Sequence, residues 1–150
     1  MTLIEGAADA YSDWLHGART AEEQGGGDQT TALSTMQKKS LSTPDEVAHY
    51  GRITKEFVSL HGVEAHRVTF NPGARWSEDL KPLAQTPSCE LPHVAYVQAG
   101  RLHVVMDNGD EDEFGPGDVM MLPPGHDAWA VGNEACVFVE FTAGTNYYMG

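Results

Sequence analysis

The stretch Gly117-Asp118-Val119-Met120-Met121-Leu122-Pro123-Pro124-Gly125-His126 decides the fold of this chain. Val119 to Leu122 is an apolar run of strand length with turn residues on both sides. The two prolines cannot continue a hydrogen-bonded ladder, because each lacks a backbone donor, and Gly125 permits a sharp bend. The stretch therefore predicts a buried strand, a turn, and then a histidine, His126, delivered from the rim of a β-structure toward its interior.

Working outward, the chain from Met36 onward shows short strand-like runs separated by glycine, proline and asparagine turns. Asn108-Gly109 is the strongest short hairpin signal among these turns. Many short strands of this kind predict an all-β sandwich or barrel. Leu80 to Pro92 holds three prolines and predicts a long loop that either lines or caps a pocket. The predicted strands are Ile53 to Leu60, Val63 to Phe70, His93 to Gln98, Leu102 to Met106, Glu111 to Phe114, Val119 to Leu122, Trp129 to Val131 and Ala135 to Phe141.

The first part of the chain differs from the rest. Residues 1 to about 23 have helical spacing, and their apolar positions lie on one side of the predicted helix. Gln24-Gly25-Gly26-Gly27-Asp28 is typical of a flexible linker. We therefore divide the chain into an N-terminal helix and Gly-rich linker, 1–35, and a β domain, 36–150. The apolar side is expected to pack on the domain or on a second subunit, and it consists of Leu3, Ala7, Tyr11, Trp14, Leu15 and Ala18.

Composition excludes several classes of partner. The chain has 150 residues and a formal net charge of -13, so its surface repels the phosphates of nucleic acids and anionic membranes. The N-terminus lacks the basic and apolar regions of a signal peptide, and a cytoplasmic location is the expectation. Cys89 and Cys136 are the only cysteines and are expected to be thiols.

Three segments together resemble a single-domain cupin, which is an antiparallel jelly roll with an internal ligand pocket. They are Asn71-Pro72-Gly73, His93 to Gly100, and the Gly117 to Gly125 unit, whose glycine and proline spacing is that of the second cupin motif. The likeness covers roughly residues 45 to 142. Within it, the chain resembles a group of small bacterial cupins, many of unknown activity. It implies a cupin double-stranded β-helix, or jelly-roll barrel, with an N-terminal helical extension. It also implies pairing into a homodimer.

The metal motif departs from the family pattern. Typical cupins carry a His-any-His pair, a later glutamate, and a histidine three residues after the second-motif glycine. In this sequence those positions hold Asp79, Lys81, His93 and Ala128. His126 lies two residues before Ala128, and strand periodicity places both on one face. His126 is therefore still expected to enter the pocket.

A metal site is one interpretation of the remaining donors. Cys89, His93 and His126 are the candidate ligands, with Asp79 as an additional oxygen donor. Cys89 and His93 share a face if strand alternation continues through Pro92. The set suits a divalent metal, and zinc, iron, manganese and nickel are the candidates. The alternative is that both histidines are buried and hydrogen-bonded, with Cys89 as a small apolar filler.

His93 and His126 are also the candidate catalytic pair, because imidazole exchanges protons near neutral pH. Tyr96 and Asp127 are expected to assist them. The candidate site is completed by two tryptophans able to stack on a flat ligand, by a lysine and by a histidine that faces inward. The residues predicted to contact substrate are Trp76, Lys81, Trp129 and His66.

The resemblance implies an enzyme that processes a small molecule, since related cupins act as cyclases, isomerases, lyases and dioxygenases. The expected substrate is a carbonyl, aromatic or polyketide-like compound of secondary metabolism. With a metal, the ion polarises a carbonyl, and without one a histidine acts as general base. A non-catalytic cupin that binds or senses a small molecule is the alternative, because a fold does not fix a function. A subunit whose barrel only supports assembly through the N-terminal helix is the third hypothesis.

Overall fold

The computed structural model describes residues 35–142. The predicted N-terminal helix and linker lie outside the described residues, as do residues 143–150. The domain division near residue 35 and the homodimer that the helix suggested therefore stay predictions. Among residues 35–142, no helix is both long and apolar enough to span a membrane.

The described chain is built of antiparallel strands, most of which match the predicted runs. A strand over Glu46–Tyr50 was not predicted, and the strand predicted from Trp129 begins at His126 instead. Two one-turn helices, α1 (Trp76–Asp79) and α2 (Lys81–Ala84), interrupt the strands between the third and the fourth. The strands are β1 (Glu46–Tyr50), β2 (Ile53–Leu60), β3 (Val63–Phe70), β4 (His93–Ala99), β5 (Leu102–Met106), β6 (Glu111–Phe114), β7 (Val119–Leu122), β8 (His126–Ala130) and β9 (Cys136–Thr142).

The predicted loop from Leu80 to Pro92 is partly wrong, because its first residues form α2. Pro82 lies at the start of this helix, where a backbone N–H has no partner within the helix and its loss costs nothing. Gln85 then ends the helix in a left-handed conformation at φ 57°.

The strands form two sheets that share one core. The six-stranded sheet has the order β1-β2-β3-β9-β4-β7, and the three-stranded sheet has the order β6-β5-β8. Every strand pairing is antiparallel, and β9 lies between β3 and β4 although it comes last in the described chain. The inner faces of both sheets contribute to one hydrophobic cluster, in which Phe70 and Phe138 of one sheet join Leu102 and Ala128 of the other.

Strand β7, which decides the fold, is half-buried rather than buried as predicted. Met120 and Leu122 are almost fully buried, whereas Val119 and Met121 are 71% and 73% exposed. The reason is that β7 is an edge of the six-stranded sheet and pairs only with β4 among the described strands. Its inner side chains close the core beside the start of β4, and its outer side chains are accessible.

Gly100 offers a test of the turn between β4 and β5. Its φ is +70°, and a Cβ there would fall on the carbonyl oxygen of Ala135 and 2.7 Å from the carbonyl carbon. Gly62 has a similar φ of +80° with nothing within 4 Å, so Gly62→Ala is the matched control. We expect Gly62→Ala to lower the free energy of unfolding by about 1 kcal/mol, the conformational cost alone. Gly100→Ala should lower it by about 3 kcal/mol or more, because backbone must move. Equal costs in urea unfolding would show that the Ala135 contact is unimportant.

Candidate metal centre

Three donor side chains meet inside the fold. One donor atom from each of Cys89, His93 and His126 lies within 4.8 Å of the others. The side chains are buried, since the three residues are 1%, 6% and 3% exposed. The prediction that these residues converge on one pocket is confirmed.

The segment before β4 brings Cys89 and His93 to the same side. Cys89, Leu91 and His93 are buried, while the intervening Glu90 and Pro92 are exposed. Alternation therefore continues through Pro92, because strand periodicity needs only extended backbone and not a donor at every position. Cys89 and His93 therefore share a face, as expected if alternation continued through Pro92.

Backbone pairing fixes His126 beside Cys89. The Cys89 N–H donates to the His126 carbonyl at 2.7 Å, and the Gly125 N–H donates to the Cys89 carbonyl at 2.6 Å. Gly125 has φ +93°, and a Cβ there would lie 2.9 Å from a carboxylate oxygen of Asp107. This turn is thus a position for glycine on both grounds. It aligns the first residue of β8 with the segment that carries the thiol.

Each imidazole is oriented by a hydrogen bond at Nδ1. His93 Nδ1 lies 2.7 Å from Oε2 of Glu140, and His126 Nδ1 lies 2.8 Å from the carbonyl oxygen of Pro123. A carbonyl and a carboxylate accept, so Nδ1 carries a proton in both rings, and Nε2 is the nitrogen that would bind a metal. Histidines that bind metals are held in this way by an outer carboxylate or carbonyl.

The spacing between the donors suits a tetrahedral ion. Nε2 of His93 lies 3.5 Å from Sγ of Cys89. Zinc bonds of about 2.3 Å to sulfur and about 2.0 Å to nitrogen at a tetrahedral angle give a separation of roughly 3.5 Å. The two imidazole rings are 5.3 Å apart in an edge-to-face arrangement. The site thus groups two imidazoles and one thiol, and the separation of His93 from Cys89 is that of two ligands on one tetrahedral zinc ion.

The electrostatics of the cluster favour a thiolate. Burial alone raises the pKa of Cys89, but hydrogen bonds with His126 and His93 outweigh burial and lower the pKa to about 6. Burial likewise lowers the pKa of His93, yet the charge of Glu140 and the contact with Cys89 raise it to about 10. The thiolate form is the one that binds metals, and metal binding displaces the proton from a ligating histidine.

Glu140 and Lys55 belong to this centre and were missed in the sequence. Glu140 is 1% exposed and Lys55 is 6% exposed. Burial raises the pKa of Glu140, but the charges of His93 and Lys55 outweigh it and keep the carboxylate ionised. Burial holds the pKa of Lys55 well below its usual range, against the opposing charge of Glu140. The sequence held a signal for Glu140, because it lies two residues after inward-facing Phe138 on a largely apolar strand and so shares its face.

A small cavity of about 30 Å³ lies against the three donors. A water molecule needs about 10–15 Å³ by the same measure, so the cavity has room for about two water-sized groups. The only ionisable side chains on its wall are the three donors themselves, and the other walls are apolar apart from the Trp76 indole. The lining residues are Val68, Phe70, Trp76, Leu80, Cys89, His93, Leu102, Leu122, His126, Ala128 and Phe138.

Two predicted carboxylates have structural partners elsewhere. Asp79, the predicted oxygen ligand, accepts hydrogen bonds from the backbone N–H groups of Arg52 and Arg75. It is not a member of the donor group, because α1 turns it toward the chain before β2. Asp127, the predicted catalytic assistant, accepts from Arg75 and from Ser77 instead. It alternates with His126 and therefore faces away from the cavity.

Four other predicted residues also lie off the cavity wall. Tyr96 is 49% exposed, because it alternates with inward-facing Ala95 and Val97. Residue Lys81 is exposed at the start of α2. The remaining two are His66, which stacks on Phe57, and Trp129, which stacks on His103 and lies under Arg75. Of the predicted substrate residues, only Trp76 lines the cavity.

Solved structures of similar fold share little sequence with this chain. The polyketide cyclase RemF from Streptomyces resistomycificus has a TM-score of 0.52 at 19% identity, covering 72% of this chain and 79% of its own. A Cupin 2 conserved barrel domain protein from Salinispora arenicola has a TM-score of 0.52 at 16% identity, covering 75% and 92%. A protein of unknown function from Rhizobium leguminosarum has a TM-score of 0.52 at 19% identity, covering 73% and 98%.

These likenesses concern the fold. No protein-family model matches the chain, and no curated protein matches it either. The antiparallel sheets and the cupin-type structures that resemble them confirm the predicted cupin jelly-roll fold. At such identities the fold does not carry the reaction of any relative to this chain.

The Glu140 carboxylate provides a test of the centre without any metal. Glu140→Ala leaves His93 and Lys55 buried without their shared carboxylate, and we expect the free energy of unfolding to fall by roughly 3–5 kcal/mol. Glu113→Ala is the control, since Glu113 pairs with Arg101 at the surface and such pairs contribute about 1 kcal/mol or less. Urea unfolding of the metal-free proteins measures both. A loss at Glu140 no larger than at Glu113 would contradict the assigned role.

Proposed function

We propose that this protein is a metal-dependent cupin enzyme that acts on a small molecule at the centre formed by Cys89, His93 and His126. One observation carries the proposal. One donor atom from each of the three side chains lies within 4.8 Å of the others, while hydrogen bonds at Nδ1 leave Nε2 of both rings to bind a metal.

Zinc is the metal that this donor set fits best. One thiolate and two imidazoles are ordinary zinc ligands, and three protein ligands are typical of catalytic zinc sites, whose fourth position is open. Thiolate is a poor partner for manganese, which prefers oxygen donors. Iron and nickel remain outcomes that metal analysis would reveal.

A zinc ion bound here would act as a Lewis acid, polarising a carbonyl or lowering the pKa of a bound water. This chemistry favours an isomerase, lyase or cyclase over a dioxygenase, since zinc does not change its oxidation state. When His93 and His126 hold a metal, neither is free to act as a general base. The apolar wall contributes by excluding water and by strengthening electrostatic interactions within the site.

Cavity size limits which part of a substrate can enter. A pocket for a drug-sized ligand has about 300–1,000 Å³, far more than the cavity of about 30 Å³ seen here. A polyketide-like molecule therefore does not fit whole inside the barrel as described. The proposed substrate places only its reacting end against the donors. The same small size favours, as a second candidate, a cupin that senses a metal or a very small ligand without turnover.

Metal content is the direct test of the site. We expect protein purified without an affinity tag to carry close to one zinc per chain by mass spectrometry of the elements. Cys89→Ala and His126→Ala should each lose most of this metal, because two remaining ligands hold zinc weakly. Cys136→Ala is the matched control for the thiol, since Cys136 is also buried but does not belong to the donor group found among the described residues. His103→Ala is the control for the imidazole. Equal metal in Cys89→Ala and Cys136→Ala would refute the site.

Turnover separates the enzyme from the sensor. We expect activity on a panel of small carbonyl compounds to disappear after chelation and to return on adding one equivalent of zinc. Tyr96→Phe should keep at least half of the wild-type rate, because this side chain faces away from the cavity. Full metal loading without turnover of any compound, together with ligand-dependent thermal shifts, would favour the sensor.

A further inference from the structure

We propose that the indole N–H of Trp76 is a ligand-binding donor that faces the metal centre and selects a compact ligand with a hydrogen-bond acceptor. The ligand would have two or three heavy atoms and would lie between Trp76 and the donor group of Cys89, His93 and His126. This inference rests on the proposed metal site and names what the open coordination position takes.

The Trp76 indole is the observation that points to a ligand. Trp76 is 3% exposed and lines the cavity, yet its Nε1 is buried with no hydrogen-bond partner. A buried indole N–H usually finds a partner, because leaving a donor unsatisfied costs about 1–3 kcal/mol. The helix α1 begins at this residue, and its backbone carbonyl accepts from the Leu80 N–H at 2.9 Å. The backbone of Trp76 is therefore fixed at the start of α1, and its indole is buried in the wall of the cavity.

The rest of the wall shows which group can satisfy this donor. Apart from the three donor residues, the cavity is lined by aliphatic and phenyl side chains such as Leu80, Leu122 and Phe138. None of these side chains offers an acceptor to the indole. The acceptor must then come from an occupant of the cavity, which holds about two water-sized groups. These limits define a ligand with one end at the metal position and an acceptor toward Trp76.

Azide on the cobalt-substituted protein is the probe. Cobalt replaces zinc in sites of this kind and reports a change of ligand through its visible absorption, so a titration gives the dissociation constant. We expect azide to bind the wild-type protein and Trp129→Phe equally, because Trp129 stacks outside the cavity. Trp76→Phe keeps the aromatic bulk and removes the donor. Its azide dissociation constant should rise about tenfold, with cobalt content unchanged, as expected for one lost hydrogen bond.

A second measurement does not depend on the fold of the variant. Imidazole, whose ring exceeds the room in the cavity, should leave the wild-type cobalt spectrum unchanged at concentrations that saturate with azide. In the zinc-loaded protein labelled with nitrogen-15, azide should shift one of the three indole N–H resonances. The resonance that shifts should still be present in the spectrum of Trp129→Phe.

The outcomes separate the two proposals. If the wild-type protein binds no cobalt, the proposed function fails together with this inference. If cobalt binds but azide affinity is the same in Trp76→Phe, or no indole resonance moves, the role of Trp76 alone is overturned. Binding of imidazole as tight as that of azide would overturn the size limit.

Discussion

The hydrogen bond between Nδ1 of His93 and Glu140 is the interaction on which the centre depends. It links the first residue of β4 to the inner face of β9, two strands that pair with each other in the sheet. Both groups are buried, so neither is stable there without the other. By fixing the proton on Nδ1, the carboxylate also determines that Nε2 faces Cys89. One interaction thus joins the stability of the sheet to the chemistry of the site.

Glu140 acts on the candidate centre through His93. Glu140 does not touch the donor position itself but positions a residue that does. Outer carboxylates of this kind raise the basicity of a ligating imidazole and hold its orientation. Lys55 is buried within electrostatic reach of Glu140, whose charge opposes the lowering of the Lys55 pKa by burial. The charged groups behind His93 are therefore part of the centre even though they do not line the cavity.

Local patterns in the sequence predicted the parts of the molecule that local geometry decides. The resemblance to cupins carried by the Gly117 to Gly125 spacing predicted the jelly roll, and alternation predicted that Cys89 and His93 would share a face if the strand continued through Pro92. Parity also predicted that His126 would enter the pocket from β8. The same alternation places Tyr96 and Asp127 on the outer face, since each lies next to a residue that faces inward. Their predicted catalytic roles therefore conflicted with strand periodicity. The helices α1 and α2 were missed because one turn is too short to show a helical period.

The remaining features depend on contacts between distant parts of the chain. Glu140 could be recognised as an inward charge on β9, but its partner could not, because the order β3-β9-β4 is a property of the whole sheet. The cavity is small because side chains from both sheets and from α1 close it, and no single segment determines its volume. Asp79 was assigned by counting along a motif, whereas its real partners, Arg52 and Arg75, are set by how α1 folds back.

The positions of the three donors in different elements of the fold have a consequence for the stability of the protein. The three donors come from the segment before β4, from β4 itself and from β8, so an ion held between them would act as a crosslink across the jelly roll. An ion that binds only the folded chain stabilises it by mass action. The gain is about 4 kcal/mol when the free metal concentration is a thousand times the dissociation constant. The melting temperature of this protein is then a property of the protein and of the free metal in its buffer, and has meaning only when both are stated.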